Sequence, residues 1–225
     1  MRRVYSLYGT SVGKKLTMAV SGAIFVLFVL VHMFGNLKVY LGPEAFNHYA
    51  EGLREFGEPF LGYEWFLWAF RAGLIGALLV HVIAAWQTSR QSWAARGQKY
   101  RKKESLVFHF ASRTMRWGGV VLFLFIVFHI LHLTTGTVHP DFVPGDAYHN
   151  FVTGFRSPPV VAAYGAAMIA LGFHLYHGTW SAFQTMGWDG PRISRWREPI
   201  ALGVALIVAL VNLSFPVAVL TGIIQ

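Results

Sequence analysis

Six of the ten histidines in this 225-residue chain sit among apolar neighbours: His32, His81, His129, His132, His174 and His177. Four of them form two pairs three residues apart, in FHILHLTTG and GFHLYHGTW, a spacing that puts both rings on one side of a helix. An imidazole can hydrogen-bond, relay a proton or ligate a metal ion through one nitrogen. A lone histidine in an apolar helix is ordinarily a helix–helix hydrogen bond. Six in four apolar stretches point to a shared task, because polar groups in hydrocarbon are costly. No cysteine accompanies them. That removes disulfides, thiolate-held iron–sulfur clusters and covalently attached c-type haem, so any redox centre must rest on histidine or methionine.

The elements that must hold these rings are membrane spans. Hydrophobic residues make up 55% of the chain, charged residues 13%, and the mean hydropathy is +0.46, about half the charge of a soluble domain. Five apolar stretches are long enough to cross a bilayer: about 16–37, 65–87, 117–137, 160–186 and 200–221. The reading is an all-α membrane protein, a single domain over 1–225 built as a five-helix bundle. The basic N-terminus MRRVYSLYGTSVGKK is followed by an apolar run too long for a cleavable signal peptide.

Basic residues gather before span one (Arg2, Arg3, Lys14, Lys15), between spans two and three (Arg90, Arg96, Lys99, Arg101, Lys102, Lys103, Arg113, Arg116) and between spans four and five (Arg192, Arg195, Arg197). The acids Glu44, Glu51, Glu55, Glu58, Glu64, Asp141 and Asp146 occupy the other two loops. The positive-inside rule then puts the N-terminus in the cytoplasm and the C-terminus outside a cytoplasmic membrane. Topology explains the charge of +9 without nucleic acid; the basic face suits an acidic soluble partner or anionic lipid. Phe46, Tyr49, Leu53 and Phe56 in the outer loop have helical spacing, predicting a short amphipathic helix on the outer surface. GWDGPRISRWREP reads as a turn, with Pro199 in the first turn of the fifth helix. Trp65, Trp68, Trp117, Trp188 and Trp196 lie near span ends, as an aromatic belt does.

Depth sorts the histidines. At 1.5 Å rise per residue, His32, His129 and His132 lie roughly 18–24 Å from the inner ends of their spans, in the outer half. His81, nine residues before Arg90, lies in the inner half with His174 and His177. Each layer draws on two helices, the arrangement a bis-histidine b-type haem needs, and two layers make two haems b. Only one histidine of each i, i+3 pair can take an axial position. Depth leans to His132 and His177; chemistry leans to His129 and His174, because the second histidine lies nearer the surface, where propionates and a quinone head group sit. The ligands are assigned as His32, His129, His81 and His174, with His132 and His177 as hydrogen-bonding neighbours.

The chain resembles the cytochrome b subunit of succinate dehydrogenase and fumarate reductase in its single-chain, five-helix, dihaem form. The resemblance rests on VHMFGN at His32, GPEAFN in the outer loop, VH at His81, RWGG from Arg116, FH at His129 and FHLYHGTWSAF at His174. It implies ligands at His32, His81, His129 and His174, the first helix pairing with the third and the second with the fourth. It also implies a flavoprotein subunit that oxidises succinate, an iron–sulfur subunit delivering electrons to the inner face, and reduction of a quinone, menaquinone in particular. Some dihaem members carry a proton-moving glutamate two residues before the fourth-helix ligand; here Gly172 stands there.

Quinone reduction needs hydrogen bonds, a proton source and an aromatic wall. Arg113, Arg116, Trp180 and Gln184, with His177, are the inner candidates; His48, Tyr49, Glu58, Glu64 and His139 are the outer ones. Arg71 and Lys38 fall near the outer haem level, suited to neutralising its propionates or to snorkelling. Two other functions compete. A dihaem subunit of a nitrate reductase, hydrogenase or formate dehydrogenase differs in its soluble partners. A histidine-lined metal-ion transporter predicts acids or methionines beside the histidines, and the spans hold essentially no acids.

Overall fold

The computed structural model describes residues 8–94, 106–188 and 190–225, excluding the side chains of 106–113. Of the expected basic cluster, Arg2, Arg3, Arg96, Lys99, Arg101, Lys102 and Lys103 lie outside the described residues. The described chain is helical with no strand: α1 (Ser11–Asn36), α2 (Pro43–Glu55), α3 (Trp65–Ala94), α4 (Leu106–Leu133), α5 (Ala147–Phe155), α6 (Pro158–Thr185) and α7 (Pro191–Leu220). A 3-10 turn, Leu37–Leu41, prolongs α1. Five of these helices, α1, α3, α4, α6 and α7, are long and apolar enough to cross a membrane. The acidic loops lie at one end of the bundle and the described basic residues mostly at the other; these are called the acidic and basic ends.

Local chemistry sets several boundaries. The Thr10 side chain accepts the Gly13 N–H and starts α1. Pro158 and Pro191 open α6 and α7, where a missing N–H costs nothing. The third span ends at Leu133 rather than 137. Thr134 and Thr135 both donate to the Ile130 carbonyl, and Gly136 takes φ 71°, a left-handed turn that suits glycine. The stretch expected to be a turn before the fifth helix is helical from Pro191 onward, so Pro199 lies inside α7. Gly190 and Pro191 already supply the restart, and Pro199 only forgoes one backbone bond.

In space the spans run α3–α1–α6–α4, with α7 against α6; α3 and α4 share no comparable interface. The four helices therefore enclose a cleft whose open side lies between α3 and α4. Nothing in the most apolar stretch of either helix is buried, whereas α6 and α7 bury part of theirs. Lipid-facing helices need no apolar core of their own, because hydrocarbon solvates Leu and Phe as well as a protein interior does. The larger core lies at the acidic end, from Val39, Phe46, Phe151, Val152, Phe155, Tyr164, Phe215, Ala218 and Val219, and a smaller one joins α1, α6 and α7 through Met33, Leu175, Ala205 and Val208.

The larger core is closed by α5, which has no counterpart in the sequence reading. Five of its nine residues are buried, among them Phe151 and Phe155. The predicted amphipathic helix is present as α2, and it seats on protein through Phe46, whose ring meets Phe151 at 5.6 Å. Leu53 and Phe56 of the same face stay exposed. Asn47 clips α2 to α5: its amide donates to Asp146 Oδ1 at 3.0 Å and its carbonyl accepts the Tyr148 N–H at 2.8 Å. Asp146 also caps α5 by accepting the His149 N–H. That N–H first, and the Asn47 amide second, hold the Asp146 carboxyl below its ordinary pKa.

A group with a depressed pKa contributes stability above its unfolded pKa and loses it as pH falls. Asn47→Ala is expected to cost about 1–2 kcal/mol, a few degrees in Tm, from two lost hydrogen bonds. In detergent melts, the advantage of wild type over Asp146→Ala should be full at neutral pH and shrink as pH drops through the carboxylate range. A constant difference across pH would contradict the clip.

Candidate functional site

Towards the acidic end, His32 of α1 and His129 of α4 come together across the cleft, ring centroids 5.8 Å apart and planes at 87°. His32 stacks on Phe28 of its own helix at 5.3 Å, and Phe125 lies 5.7 Å from His129. The His129 Nδ1 is 3.1 Å from the Tyr164 hydroxyl, and so is the His132 Nδ1. The two members of this i, i+3 pair have different surroundings. His129 is half-buried and faces the cleft; His132 is fully buried under α5. The His132 ring stacks on Phe128 at 5.4 Å, lies 5.1 Å from the His139 ring, and its Nε2 has no hydrogen-bond partner. A Cβ placed on Gly154 of α5 would come within 2.7 Å of His132 Cε1 and 2.9 Å of its Nε2. The glycine is what lets α5 lie on the imidazole.

Nearer the basic end, His81 of α3 faces His174 of α6 at a centroid distance of 6.3 Å. The His81 Nδ1 is 3.0 Å from the Ser21 hydroxyl of α1, and Phe25 meets its ring edge-on at 6.1 Å. The His174 Nδ1 is buried without a hydrogen-bond partner. Beside it opens a cavity of about 80 Å³ lined by Thr114, Met115, Gly118, Ala170 and Phe173. Ser21 precedes His32, and Gly118 precedes His129, by eleven residues. Eleven residues are three helical turns, so each helix returns the same face to the other layer, about 16 Å away.

The residues fit a planar bis-histidine metal cofactor. Two imidazoles on opposite faces of one iron, each at a bond of about 2 Å, have ring centroids about 6 Å apart. Both couples match that separation, and both come from diagonally opposed helices. The buried, unpartnered His174 Nδ1 and the open space beside Gly118 belong to the same cleft. Among the described residues no group of three or more histidine, cysteine, aspartate or glutamate side chains converges; the rings meet as couples.

The remaining candidates are scattered. Arg71 precedes His81 by ten residues, at the depth of the His32 layer, as the contact of Phe70 with Phe28 at 6.0 Å also requires. Its guanidinium lies over Trp68 at 4.7 Å and 3.9 Å from Glu64. Glu64 is also bound by Arg54 at 3.2 Å, and Arg54 pairs with Glu51 at 3.0 Å. The Tyr63 hydroxyl donates to Glu51 and, with Arg54, holds that carboxyl below its ordinary value. Glu64 is thus engaged in an ion network, and Glu58 lies in the neighbouring turn before a cis Pro59. Lys38 sits 5.5 Å over the Tyr49 ring, and together with His48 they line a groove of about 310 Å³ at the acidic end. His139 is outside that groove: its Nδ1 accepts the Asp141 N–H and its Nε2 donates to the Asn150 carbonyl.

At the basic end, Arg116 lies over Trp93 of α3 at 4.8 Å, bridging the open side of the cleft. Trp180 is covered by Arg197 of α7 at 4.3 Å, and Gln184 is exposed near the end of α6. These residues share the basic end without meeting at one point, and the Arg113 side chain lies outside the described residues. His177 is half-buried one turn beyond His174. Sequence reasoning missed Tyr164, Ser21 and Gly154. Only Ser21 left a trace, as a hydroxyl on the helical face of His32; the others depend on which helices become neighbours.

A family model described as succinate dehydrogenase/fumarate reductase transmembrane subunit matches residues 87–213, more than half of the chain. The matched stretch holds His129, His132, His174 and His177 and begins after His32 and His81. No curated protein and no solved structure matches the chain.

Gly154→Ala tests how tightly α5 closes on His132. Neither neighbour is a flexible chain end, so the added methyl is expected to cost about 1–3 kcal/mol by overpacking. A Tm equal to that of wild type would show that the contact yields freely.

Proposed function

Because the chain belongs to the succinate dehydrogenase/fumarate reductase transmembrane-subunit family, we propose that it is the membrane anchor and electron-transfer subunit of a succinate:quinone oxidoreductase. In this reading its basic end faces the cytoplasm and receives an iron–sulfur subunit, which is loaded in turn by a flavoprotein. The chain holds two haems b, through His81 and His174 near the basic end and through His32 and His129 near the acidic end. The observation that carries the reading is the meeting of four imidazoles as two couples, 6.3 and 5.8 Å apart, on diagonal helices at two depths.

Bound haem supplies reversible one-electron transfer between ferrous and ferric iron. The chain's own residues do the rest. The apolar cleft excludes water and keeps the imidazoles neutral as ligands. Diagonal helices present them from opposite sides, and packing under α5 keeps His132 out of the cleft, which favours His129 as the ligand. Arg71, at the depth of the acidic-end couple, and Lys38, beyond it, offer positive charge to propionates. Quinone takes up two electrons and two protons to become quinol. Arg113, Arg116, Trp180, Gln184 and His177 are proposed to supply hydrogen bonds, an aromatic wall and the proton route near the basic end, with menaquinone the acceptor.

A reduced-minus-oxidised visible spectrum of the purified complex, with haem quantified, tests this. Sharp b-type bands at two haems per chain are expected, with soluble flavoprotein and iron–sulfur subunits in the same preparation. His129→Ala should lose one haem, while His132→Ala keeps two. Loss of haem from His132→Ala alone would reverse that assignment, and a colourless wild-type complex would refute the whole reading.

A further inference from the structure

We propose that two hydroxyls, Ser21 and Tyr164, one in each layer, set the tautomer of one ligand histidine each, so that Nε2 of His81 and of His129 is the nitrogen offered to iron. The proposal rests on the dihaem reading above and goes beyond it, since that reading names ligands but not what orients them.

The argument is a count of protons. A serine hydroxyl has one proton, and that of Ser21 points to the Thr17 carbonyl at 2.7 Å, with the Met18 carbonyl at 3.3 Å. Its contact with His81 Nδ1 at 3.0 Å therefore needs the proton on Nδ1, and the Met18 carbonyl is a further acceptor for the His81 ring. The Nε2 lone pair of His81 is left bare. Ser21 is itself buried, so no solvent competes for the hydroxyl. Gly22 beside it leaves the His81 ring in ordinary contact with α1, 3.5 Å from the position of a Cβ.

Tyr164 has one proton and two imidazoles at 3.1 Å. It donates to one and must accept from the other. Only His129 faces the cleft while His132 is sealed, so His129 is the ring whose Nε2 can be left bare for iron: it donates from Nδ1, and Tyr164 donates to His132 Nδ1. The proton of His132 is then on Nε2, against Gly154 and the His139 ring. One hydroxyl thus makes the members of the i, i+3 pair chemically unlike, a ligand and a spectator. Both hydroxyls come from a helix that packs on the ligand's own: α1 on α3, and α6 on α4.

A ligand imidazole that donates its second N–H is more basic and favours the more oxidised metal. Removing a hydroxyl should raise the reduction potential of one haem and leave the other, about 16 Å away along the helix, unchanged. The experiment is a potentiometric titration of the intact complex, with EPR of the oxidised protein. Ser21→Ala is expected to raise one midpoint and Tyr164→Phe the other. Two haems per chain should remain, one low-spin signal should move in each variant, and the double variant should show both shifts. His132→Leu should keep both haems and raise the same midpoint as Tyr164→Phe by less, because it removes only the acceptor that polarises the tyrosine.

Unchanged midpoints and signals in both single variants, or both variants moving the same haem, would overturn the proposal. A Tyr164→Phe protein that lost its haem would leave the decision to Ser21→Ala and His132→Leu, whose unchanged midpoints overturn it too. A wild-type complex without two haems refutes the dihaem reading instead, and that is seen before any variant is titrated.

Discussion

An imidazole held away from water is costly wherever a nitrogen goes unserved, as His132 Nε2 and His174 Nδ1 do here, and that cost organises the middle of this molecule. A hydrogen bond to one nitrogen leaves the other to be met by a second partner or by a metal, and an unmet polar atom in hydrocarbon is expensive. His81 and His129 each place Nδ1 on a hydroxyl and turn the ring toward a second imidazole. The helices accommodate this by packing along three sides of a quadrilateral and leaving the fourth open. A bundle closed on all four sides by Leu and Phe would leave no room between the diagonal rings.

The acidic end follows the opposite rule. There α5 and α2 lie across the ends of the spans and complete with them the larger of two cores. His132 belongs to this core, stacked on Phe128 and pressed by α5 at the one position where a glycine permits it. Three residues along one helix thus separate a ring facing an open cleft from a ring sealed in a packed interior. The pair looks symmetrical in sequence and is not so in space.

Side chains outside the two couples divide by what holds them. Arg71, Glu64, Arg54 and Glu51 form a chain of ion pairs across the junction of α2 and α3. Arg–Trp stacks recur at the basic end, where Arg116 and Arg197 lie over indoles of neighbouring helices. A guanidinium on an aromatic face keeps its N–H groups free to meet anions at its edge, which suits a surface between lipid head groups and a soluble partner.

Hydropathy and charge alone were enough for the five spans, their alternation and the two depths at which histidines occur. Those properties follow from the length a chain needs to cross hydrocarbon and from the 3.6-residue period, both of which are local. The amphipathic spacing of Phe46, Tyr49 and Leu53 was legible for the same reason. Helix ends were less so: Gly136 stops α4 early, and Pro191 rather than Pro199 opens α7, because a terminus depends on which carbonyls find donors. Which helices stand diagonal, that α5 folds over His132, and that Tyr164 reaches two imidazoles at once were decided only by tertiary structure. Those contacts join residues 21 and 81, 129 and 164, and 132 and 154, and no periodicity in a single helix records which surface of another it will meet.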